Sequence, residues 1–279
     1  MDVLKIAAFS DGDTGGNPAG VVLGDQLPEV DAMQRIAAEV NFSETAFAAP
    51  IGKGWRVRYF SPESEVPFCG HATIALGAAL ALRHGDDIFA LTLNHANITV
   101  EARASNGLVT AALQSPPTRS MPAPTQLVSD ALELFGYTPE DLDERIPPAV
   151  VHGGADHLAL GLKSRQTLAA MTYDLDAGRS LMNRAGLVTI LLAWAETSQR
   201  FHTRNPFASG GVYEDPATGA ATAAFAGYLR DIAWSHGGAI DLLQGEDIGM
   251  RSRLRAEIPP TPGSSIRVSG TARIMHESR

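Results

Sequence analysis

The chain has 279 residues, of which 44% are hydrophobic and 19% are charged, and it carries a net charge of −9. These values are typical of globular proteins and exclude a disordered chain, and the length suggests two domains. The acidic balance disfavours nucleic-acid and anionic-membrane partners, because both need a basic surface.

The first 115 residues alternate between strand and helix patterns. Residues 28–40 open with a proline favoured in a first turn and carry apolar residues at helical spacing, which predicts an amphipathic helix. Residues 71–85 are nearly all small and apolar, which predicts a helix buried inside its domain. A tight turn is predicted at Ser105-Asn106-Gly107. Strand patterns occupy 4–9, 19–23, 44–50, 55–61, 90–95, 96–103 and 108–114.

Two proline-rich segments divide the chain. Residues 115–124 (SPPTRSMPAP) predict an interdomain linker, and residues 258–265 (IPPTPGSS) predict a second break. The segment between them repeats the order of elements, with helices near 126–136 and 176–186 and strands at 149–154, 157–162 and 187–194.

These breaks predict two domains, over residues 1–115 and 125–258. A final strand within residues 266–279 follows the second break, and because connections between neighbouring elements are short it could return to either domain. We assign it to the first.

An internal repeat relates the two halves. EVPFCGHATIALGAAL (65–80) and EDPATGAATAAFAGYL (214–229) are identical at seven of sixteen positions, including a Glu-x-Pro-x-x-Gly portion that alanine richness does not explain. The repeat predicts two similar α/β domains, each with a buried helix that follows a glycine turn. Related by a pseudo-twofold axis, the two helix N-termini would face one interdomain cleft, where ligand sites are common.

The two helix starts are candidate anion sites. A helix N-terminus presents unpaired N–H groups and a partial positive charge, which bind carboxylates and phosphates. Gly70 and Gly219 would let the backbone approach a ligand closely. Such donors favour proton abstraction next to a carboxylate, since they stabilise the enolate-like intermediate. The alternative is that two buried helices simply begin with tight turns.

Four polar residues are candidates for proton transfer or for contact with a ligand. Glu44 lies between the first helix and a strand, flanked by phenylalanines, in apolar surroundings that tune a carboxyl group for proton transfer; it could instead be an exposed turn residue or part of a cap with Asn41. Asp215 precedes the second glycine turn and could be catalytic or a helix cap. His71 could donate to a substrate oxygen or be satisfied by the backbone. Asn17 could form an Asx turn or reach a ligand.

The numbers and spacing of cysteines and histidines argue against disulfide bonds and a bound metal. A single cysteine permits no internal disulfide, and the N-terminus lacks a signal-peptide pattern, so we expect a cytoplasmic protein. The eight histidines fall in no pattern such as HxxxH, so we expect no bound metal. No apolar run approaches the length of a membrane span.

Four ordered motifs resemble the PhzF-like phenazine-biosynthesis isomerase family, which shares the diaminopimelate epimerase fold. They are GGNPAGVVL, NFSETAF, RYFSPESEVPFCGHAT and YEDPATGAA, and the terminal VSGTARI matches as well. The resemblance implies an α/β (α+β) fold of two pseudo-symmetric domains. Each would be a curled, mostly antiparallel sheet around a central helix, with the active site in the cleft. It also implies a homodimer without metal or organic cofactor.

The resemblance also assigns residues. It implies that Glu44 is the general acid/base that moves a proton on a small anionic metabolite, with Asp215 and His71 as further catalytic residues. The substrate-binding residues it implies are Asn17, Ser43, Gly70, Thr218, Gly219 and Ala220.

At one of these positions the chain departs from the family. The family usually has serine or asparagine at the position of Ala220, so a side-chain donor is missing here. This departure favours a different, less polar substrate than dihydrohydroxyanthranilate.

Two other functions stay open at this point. A two-thiol amino-acid epimerase would need cysteines on both faces of the substrate carbon, and this chain has only Cys69, which we expect to pack at the edge of the cleft. A binding or scaffolding protein could use the same fold without turnover, and the loss of a polar residue at Ala220 favours it.

Overall fold

The computed structural model describes residues 2–105 and 108–275. The described residues up to Gln114, together with those from Ser269 onwards, form one compact unit, and Ser115–Val268 form a second. Asn106 and Gly107 of the predicted turn lie outside the described residues. Among the residues described, no helix combines the length and the apolar character that crossing a membrane requires.

The elements follow one another along the chain with few long connections. The helices are α1 (Val30–Val40), α2 (Gly70–His84), α3 (Thr125–Phe135), α4 (Arg165–Ala169), α5 (Leu175–Ala185) and α6 (Gly219–Asp231). The strands up to the middle of the chain are β1 (Leu4–Ser10), β2 (Asn17–Leu23), β3 (Thr45–Ile51), β4 (Gly54–Phe60), β5 (Glu65–Val66), β6 (Asp87–Thr92), β7 (Asn97–Ser105), β8 (Leu108–Pro117) and β9 (Arg119–Pro122). The remaining strands are β10 (Ala149–His152), β11 (Asp156–Leu162), β12 (Thr189–Ala195), β13 (Arg200–Arg204), β14 (Pro206–Phe207), β15 (Val212–Glu214), β16 (Ala239–Gln244), β17 (Ser252–Glu257) and β18 (Ser265–Ile274).

The first unit is a sheet wrapped around helix α2. Its strand order is β1–β2–β3–β4–β6–β7–β8, and β18 neighbours both β8 and β1, so the order closes into a ring. Helix α2 packs against β1, β2, β3, β6 and β7, and its residues from His71 to Ala81 are all buried. The prediction of an apolar helix inside its domain is therefore confirmed.

The second unit repeats this plan around helix α6. Its strand order is β9–β10–β11–β12–β13–β16–β17, and α6 packs against β9, β10, β11 and β17. Residues of α3 and α5 share an apolar cluster with Leu158, Leu160 and Ile190 of the sheet.

Strand directions confirm that the two units are repeats of one another. From β1 to β7 the pairings run antiparallel, parallel, antiparallel, parallel and antiparallel. The pairings from β10 to β17 follow the same succession. Because α2 and α6 each connect the fourth and fifth strands of this succession, the two helices occupy equivalent positions.

The prediction of a linker at 115–124 is wrong. The segment contributes the end of β8 and all of β9, and β9 pairs antiparallel with β10. Strand β9 is the last in the strand order of its unit, so it is an edge strand. Proline, which lacks a backbone N–H, is tolerated on the side of an edge strand that pairs with no neighbour.

Candidate active site

Polar side chains of the first unit converge beside the start of helix α2. The Nε2 atom of His71 lies 3.3 Å from the Oε2 atom of Glu44 and 3.3 Å from the hydroxyl of Ser43. The Sγ atom of Cys69 lies 3.3 Å from the Nδ1 atom of the same ring. The imidazole therefore connects the 43–44 turn to the first turn of α2.

Local backbone geometry positions Glu44. Helix α1 ends at Val40, and its C-cap residue Asn41 has a left-handed backbone (φ 55°) that asparagine tolerates. The chain then crosses to β3, and the carbonyl of Glu44 accepts a hydrogen bond of 3.2 Å from the N–H of Gly20 in β2. Only 13% of the Glu44 side chain is exposed, which does not fit the alternative of an exposed turn residue.

The Oε2 atom of Glu44 is buried and, among the residues described, accepts no hydrogen bond. Its 3.3 Å contact with His71 is an ion-pair distance without hydrogen-bond alignment. A buried carboxylate oxygen without a donor is costly, so this atom can gain from a proton or a donor that a ligand brings.

The start of α2 leaves backbone donors available. The N-cap residue Cys69 has an extended backbone, its side chain makes no cap hydrogen bond, and the first turn contains no acidic residue. The hydroxyl of Tyr59 lies 2.7 Å from that of Thr73, which in turn donates to the carbonyl of Cys69. Burial raises the pKa of Tyr59, so this phenol stays neutral and holds the turn as a hydrogen-bonding group.

A second polar cluster lies at the start of α6 in the second unit. The hydroxyl of Thr218 donates to the carboxylate of Asp215 at 2.5 Å. The buried amide of Gln244 donates to the carbonyl of Asp215 (2.7 Å) and to the hydroxyl of Thr218 (3.0 Å), and accepts from the N–H of Thr218 at 3.3 Å. The turn before α6 is thus held by a residue from β16.

Equivalent arginine–glutamate pairs hold the segments that lead into both helices. Glu65 accepts hydrogen bonds from Arg58 through both carboxylate oxygens, at 2.7 and 2.5 Å. Glu214, its counterpart in the repeat, accepts from Arg204 in the same bidentate way. Bidentate pairing fixes orientation as well as charge.

The structure brings together most of the residues predicted for the site, in two groups. Ser43, Glu44, Gly70 and His71 lie in the first unit, and Asp215, Thr218, Gly219 and Ala220 lie in the second. Helices α2 and α6 begin at Gly70 and Gly219, as the repeat predicted, and their N-cap residues are Cys69 and Thr218. The position equivalent to the single cysteine thus holds a threonine.

Asn17, the remaining predicted site residue, lies in a strand, and three residues near the two helix starts were not predicted. Asn17 is buried and begins β2, where it pairs with Ala8, so it lies in a strand and not in a turn. Sequence reasoning missed Tyr59, Arg204 and Gln244. Only the repeat could have indicated Arg204, through its glutamate partner, because no short-range pattern links these residues to the site.

Comparisons with known proteins show matches over nearly the whole chain. A family profile described as phenazine biosynthesis-like protein matches residues 6–278. Trans-2,3-dihydro-3-hydroxyanthranilate isomerase of Pseudomonas fluorescens is 32% identical over 90% of this chain and 88% of its own. The enzyme of the same name from Pseudomonas chlororaphis is also 32% identical, over 95% of this chain and 94% of its own.

A solved structure shows the same fold. The crystal structure of a PhzF-family phenazine biosynthesis protein of Bacillus anthracis superposes with a TM-score of 0.86, at 23% identity, over 99% of this chain and 98% of that one. The chain belongs to the PhzF-like family of phenazine biosynthesis-like proteins, and it is an isomerase with the diaminopimelate epimerase-like fold.

Proposed function

We propose that the protein is a cofactor-independent isomerase that moves a proton between carbons of a small carboxylate-bearing metabolite. Glu44 is the general acid/base in this proposal. The observation that carries it is the buried Oε2 atom of Glu44, which has no hydrogen-bond partner among the described residues and lies beside the start of α2.

The chemistry follows from this placement. The carboxylate of Glu44 takes a proton from a carbon conjugated with the substrate carboxylate, and the C–H electron pair moves into an enolate-like intermediate. The same carboxyl group, now protonated, returns the proton to another carbon. N–H groups at the start of α2 stabilise the negative charge that develops between the two steps.

His71 and Ser43 position the proton carrier. The ring contacts the carboxylate and the Ser43 hydroxyl, so it can donate to a substrate oxygen or hold Glu44 in place. In the second unit, Asp215 and the start of α6 supply the equivalent polar group, which we propose also binds an anionic part of a ligand.

Ala220 bears on the identity of the substrate. The named relatives act on trans-2,3-dihydro-3-hydroxyanthranilate, and the resemblance implies a polar side chain at this position. Ala220 offers only its backbone N–H. We propose that the natural substrate is a less polar carboxylate, and that Ala220→Ser raises turnover of the relatives' substrate about tenfold, the value of one additional hydrogen bond.

The test is solvent deuterium incorporation. The protein is incubated in D2O with a panel of small carboxylates that includes trans-2,3-dihydro-3-hydroxyanthranilate, and isotope uptake is read by mass spectrometry. Glu44→Gln keeps the size of the side chain but cannot carry the proton, so we expect exchange to fall by roughly 10²–10⁴-fold while ligand binding is retained. Glu63→Gln, an exposed glutamate in the 61–64 loop, is the matched control.

The outcomes separate the candidate functions. Exchange that survives Glu44→Gln contradicts the assigned proton carrier. Ligand binding by the wild type without exchange or turnover would favour the binding protein that the loss of a polar side chain at Ala220 suggested. Since the position equivalent to Cys69 is Thr218, the two-thiol mechanism lacks its second thiol.

A further inference from the structure

We propose that Glu44, Cys69 and His71 form a binding site for a thiophilic divalent cation such as Zn²⁺, and that the ion reversibly inhibits the isomerase. One carboxylate oxygen, the thiol sulfur and one ring nitrogen of these residues all lie within 4.8 Å of one another. The three groups belong to the described part of the chain and come from the 43–44 turn and the start of α2.

The ligand types and spacing suit zinc. Zn²⁺ binds imidazole nitrogen, thiolate sulfur and carboxylate oxygen in tetrahedral sites, with bonds of about 2.0–2.3 Å that set the ligand atoms roughly 3.3–3.7 Å apart. The Nε2 atom of His71 lies 3.3 Å from Oε2 of Glu44 and 3.9 Å from Sγ of Cys69. The Sγ atom lies nearer to Nδ1, at 3.3 Å, so the Cys69 side chain or the His71 ring must rotate to bring Nε2, Oε2 and Sγ to coordination distance around one ion.

Burial and charge favour the ion. The Oε2 atom of Glu44 is buried and accepts no hydrogen bond within the described chain, so a cation would satisfy it. Cys69 is the N-cap of α2 and is 8% exposed, and a helix N-terminus stabilises a thiolate. One carboxylate and one thiolate neutralise a divalent ion, and His71 stays neutral as a ligand.

The ligand set also predicts selectivity. Thiolate and imidazole favour Zn²⁺ and Co²⁺, whereas Mg²⁺ and Ca²⁺ prefer oxygen ligands only. Motifs such as HxxxH detect only ligands that are close in sequence. Glu44 and Cys69 are 25 residues apart, so no such motif indicates this site. Cys69 would then be a ligand, and not only a packing residue.

The inhibition rests on the proposed function, whereas the binding does not. An ion on the Oε2 atom of Glu44 occupies the lone pair that would accept the substrate proton. The ion therefore competes with proton transfer, and a chelator restores it.

Binding is tested on the full chain, first stripped of metal, by titration with Zn²⁺ alone against a chromophoric chelator. Co²⁺ serves as a spectroscopic probe, because a thiolate ligand gives it a charge-transfer band. We expect a single high-affinity ion per chain and a cobalt–thiolate band. Cys69→Ser should remove the band. It should also weaken zinc binding by more than roughly 10-fold, because even the loss of a residue that only hydrogen-bonds to a metal ligand costs that much.

His202→Gln is the matched control. His202 contacts two carboxylates, those of Glu196 and Glu246, but no thiol. This variant should keep the affinity and the band of the wild type. Absence of the band in the wild type, or equal zinc affinity in Cys69→Ser, would overturn the site; circular dichroism and the melting temperature establish that each variant is folded.

Inhibition is tested in the deuterium-exchange assay, with each variant compared with its own metal-free rate. Zn²⁺ should suppress exchange by the wild type, Mg²⁺ should not, and a chelator should reverse the effect. Zinc that binds without slowing exchange would overturn the inhibitory role. A wild type that never exchanges would count against the proposed function alone, because the cobalt band and the zinc titration still test the site.

Discussion

Arg204 and Glu214 form an ion pair that is almost completely excluded from water, with 6% and 1% of their side chains exposed. The Nε atom of Arg204 lies 3.0 and 3.1 Å from the two carboxylate oxygens. The guanidinium also donates to the carbonyls of Leu168, Ala169 and Met171. Glu214 immediately precedes Asp215, so the pair anchors the segment that carries one of the proposed site residues.

Removing one partner of this pair should be strongly destabilising. Arg204→Met leaves the buried carboxylate of Glu214 without its counter-ion, and Glu214→Gln leaves Arg204 only the more distant Asp247 at 4.0 Å; each change costs about 3–5 kcal/mol of the free energy of unfolding. The double replacement Arg204→Met and Glu214→Leu should cost less than either single change. Chemical denaturation followed by circular dichroism gives these values.

Arg58→Met is the matched control in the first unit. Arg58 and Glu65 are 19% and 26% exposed, so water can solvate the partner that remains. We expect a loss of about 1 kcal/mol at most. Equal losses in the two units would contradict the argument from burial.

Gln244 should decide the geometry of the turn before α6. Gln244→Leu removes a donor to the carbonyl of Asp215 and the acceptor for the N–H of Thr218, which costs about 1–3 kcal/mol of stability. We also expect a higher KM for the carboxylate that undergoes deuterium exchange, because the turn that carries Asp215 and Thr218 is less well held. Gln199→Leu removes an exposed amide contact with the carbonyl of His236 and should change neither value.

Much of the fold was readable in the sequence because its signals are local. The apolar run of α2 and the repeat around Gly70 and Gly219 each predict a buried helix and its first residue. The residues of β17 also alternate between buried and exposed, a local pattern that is typical of a strand. Strand β9 was missed because its prolines indicate a loop unless the strand is known to lie at an edge.

The candidate site was predictable only where residues fall in motifs. Glu44 and His71 are candidates from their positions beside predicted elements, and motif resemblance assigns their roles. Their 3.3 Å contact, however, depends on how α1 ends and β3 begins. Gln244 and Arg204 reach the turn before α6 from other strands. Contacts between residues distant in sequence leave no periodic pattern or short motif, so Gln244 and Arg204 could not be predicted from such signals.

His71→Asn should separate positioning from proton transfer. The shorter side chain loses the contacts with Glu44 and Ser43, so the carboxylate is no longer held in place. We expect kcat for deuterium exchange to fall roughly 10²-fold with a smaller change in KM. An exchange rate equal to the wild type would show that the ring does not position Glu44, and His84→Asn, on the exposed end of α2, is the control.

His157 should make the second unit sensitive to acid. It is fully buried, and its Nδ1 atom contacts the hydroxyl of Thr189 at 2.7 Å, which donates in turn to the side-chain oxygen of Asn205. The ring therefore carries its proton on Nδ1, and Nε2 is buried without a partner among the described residues. Burial lowers the pKa of His157 from 6.5 to about 4.

The sign of the effect follows from this shift. Above pH 6.5 the histidine is neutral in both the folded and the unfolded state, so it does not affect stability. As the pH falls from 6.5 to about 4, the unfolded state binds a proton that the folded state does not, and the free energy of unfolding decreases. The loss reaches about 3 kcal/mol. His157→Gln should flatten the decline of the free energy of unfolding across this window, whereas His95→Gln, at an exposed position, should leave it unchanged. A decline that is equally steep in His157→Gln would assign the acid sensitivity to other groups.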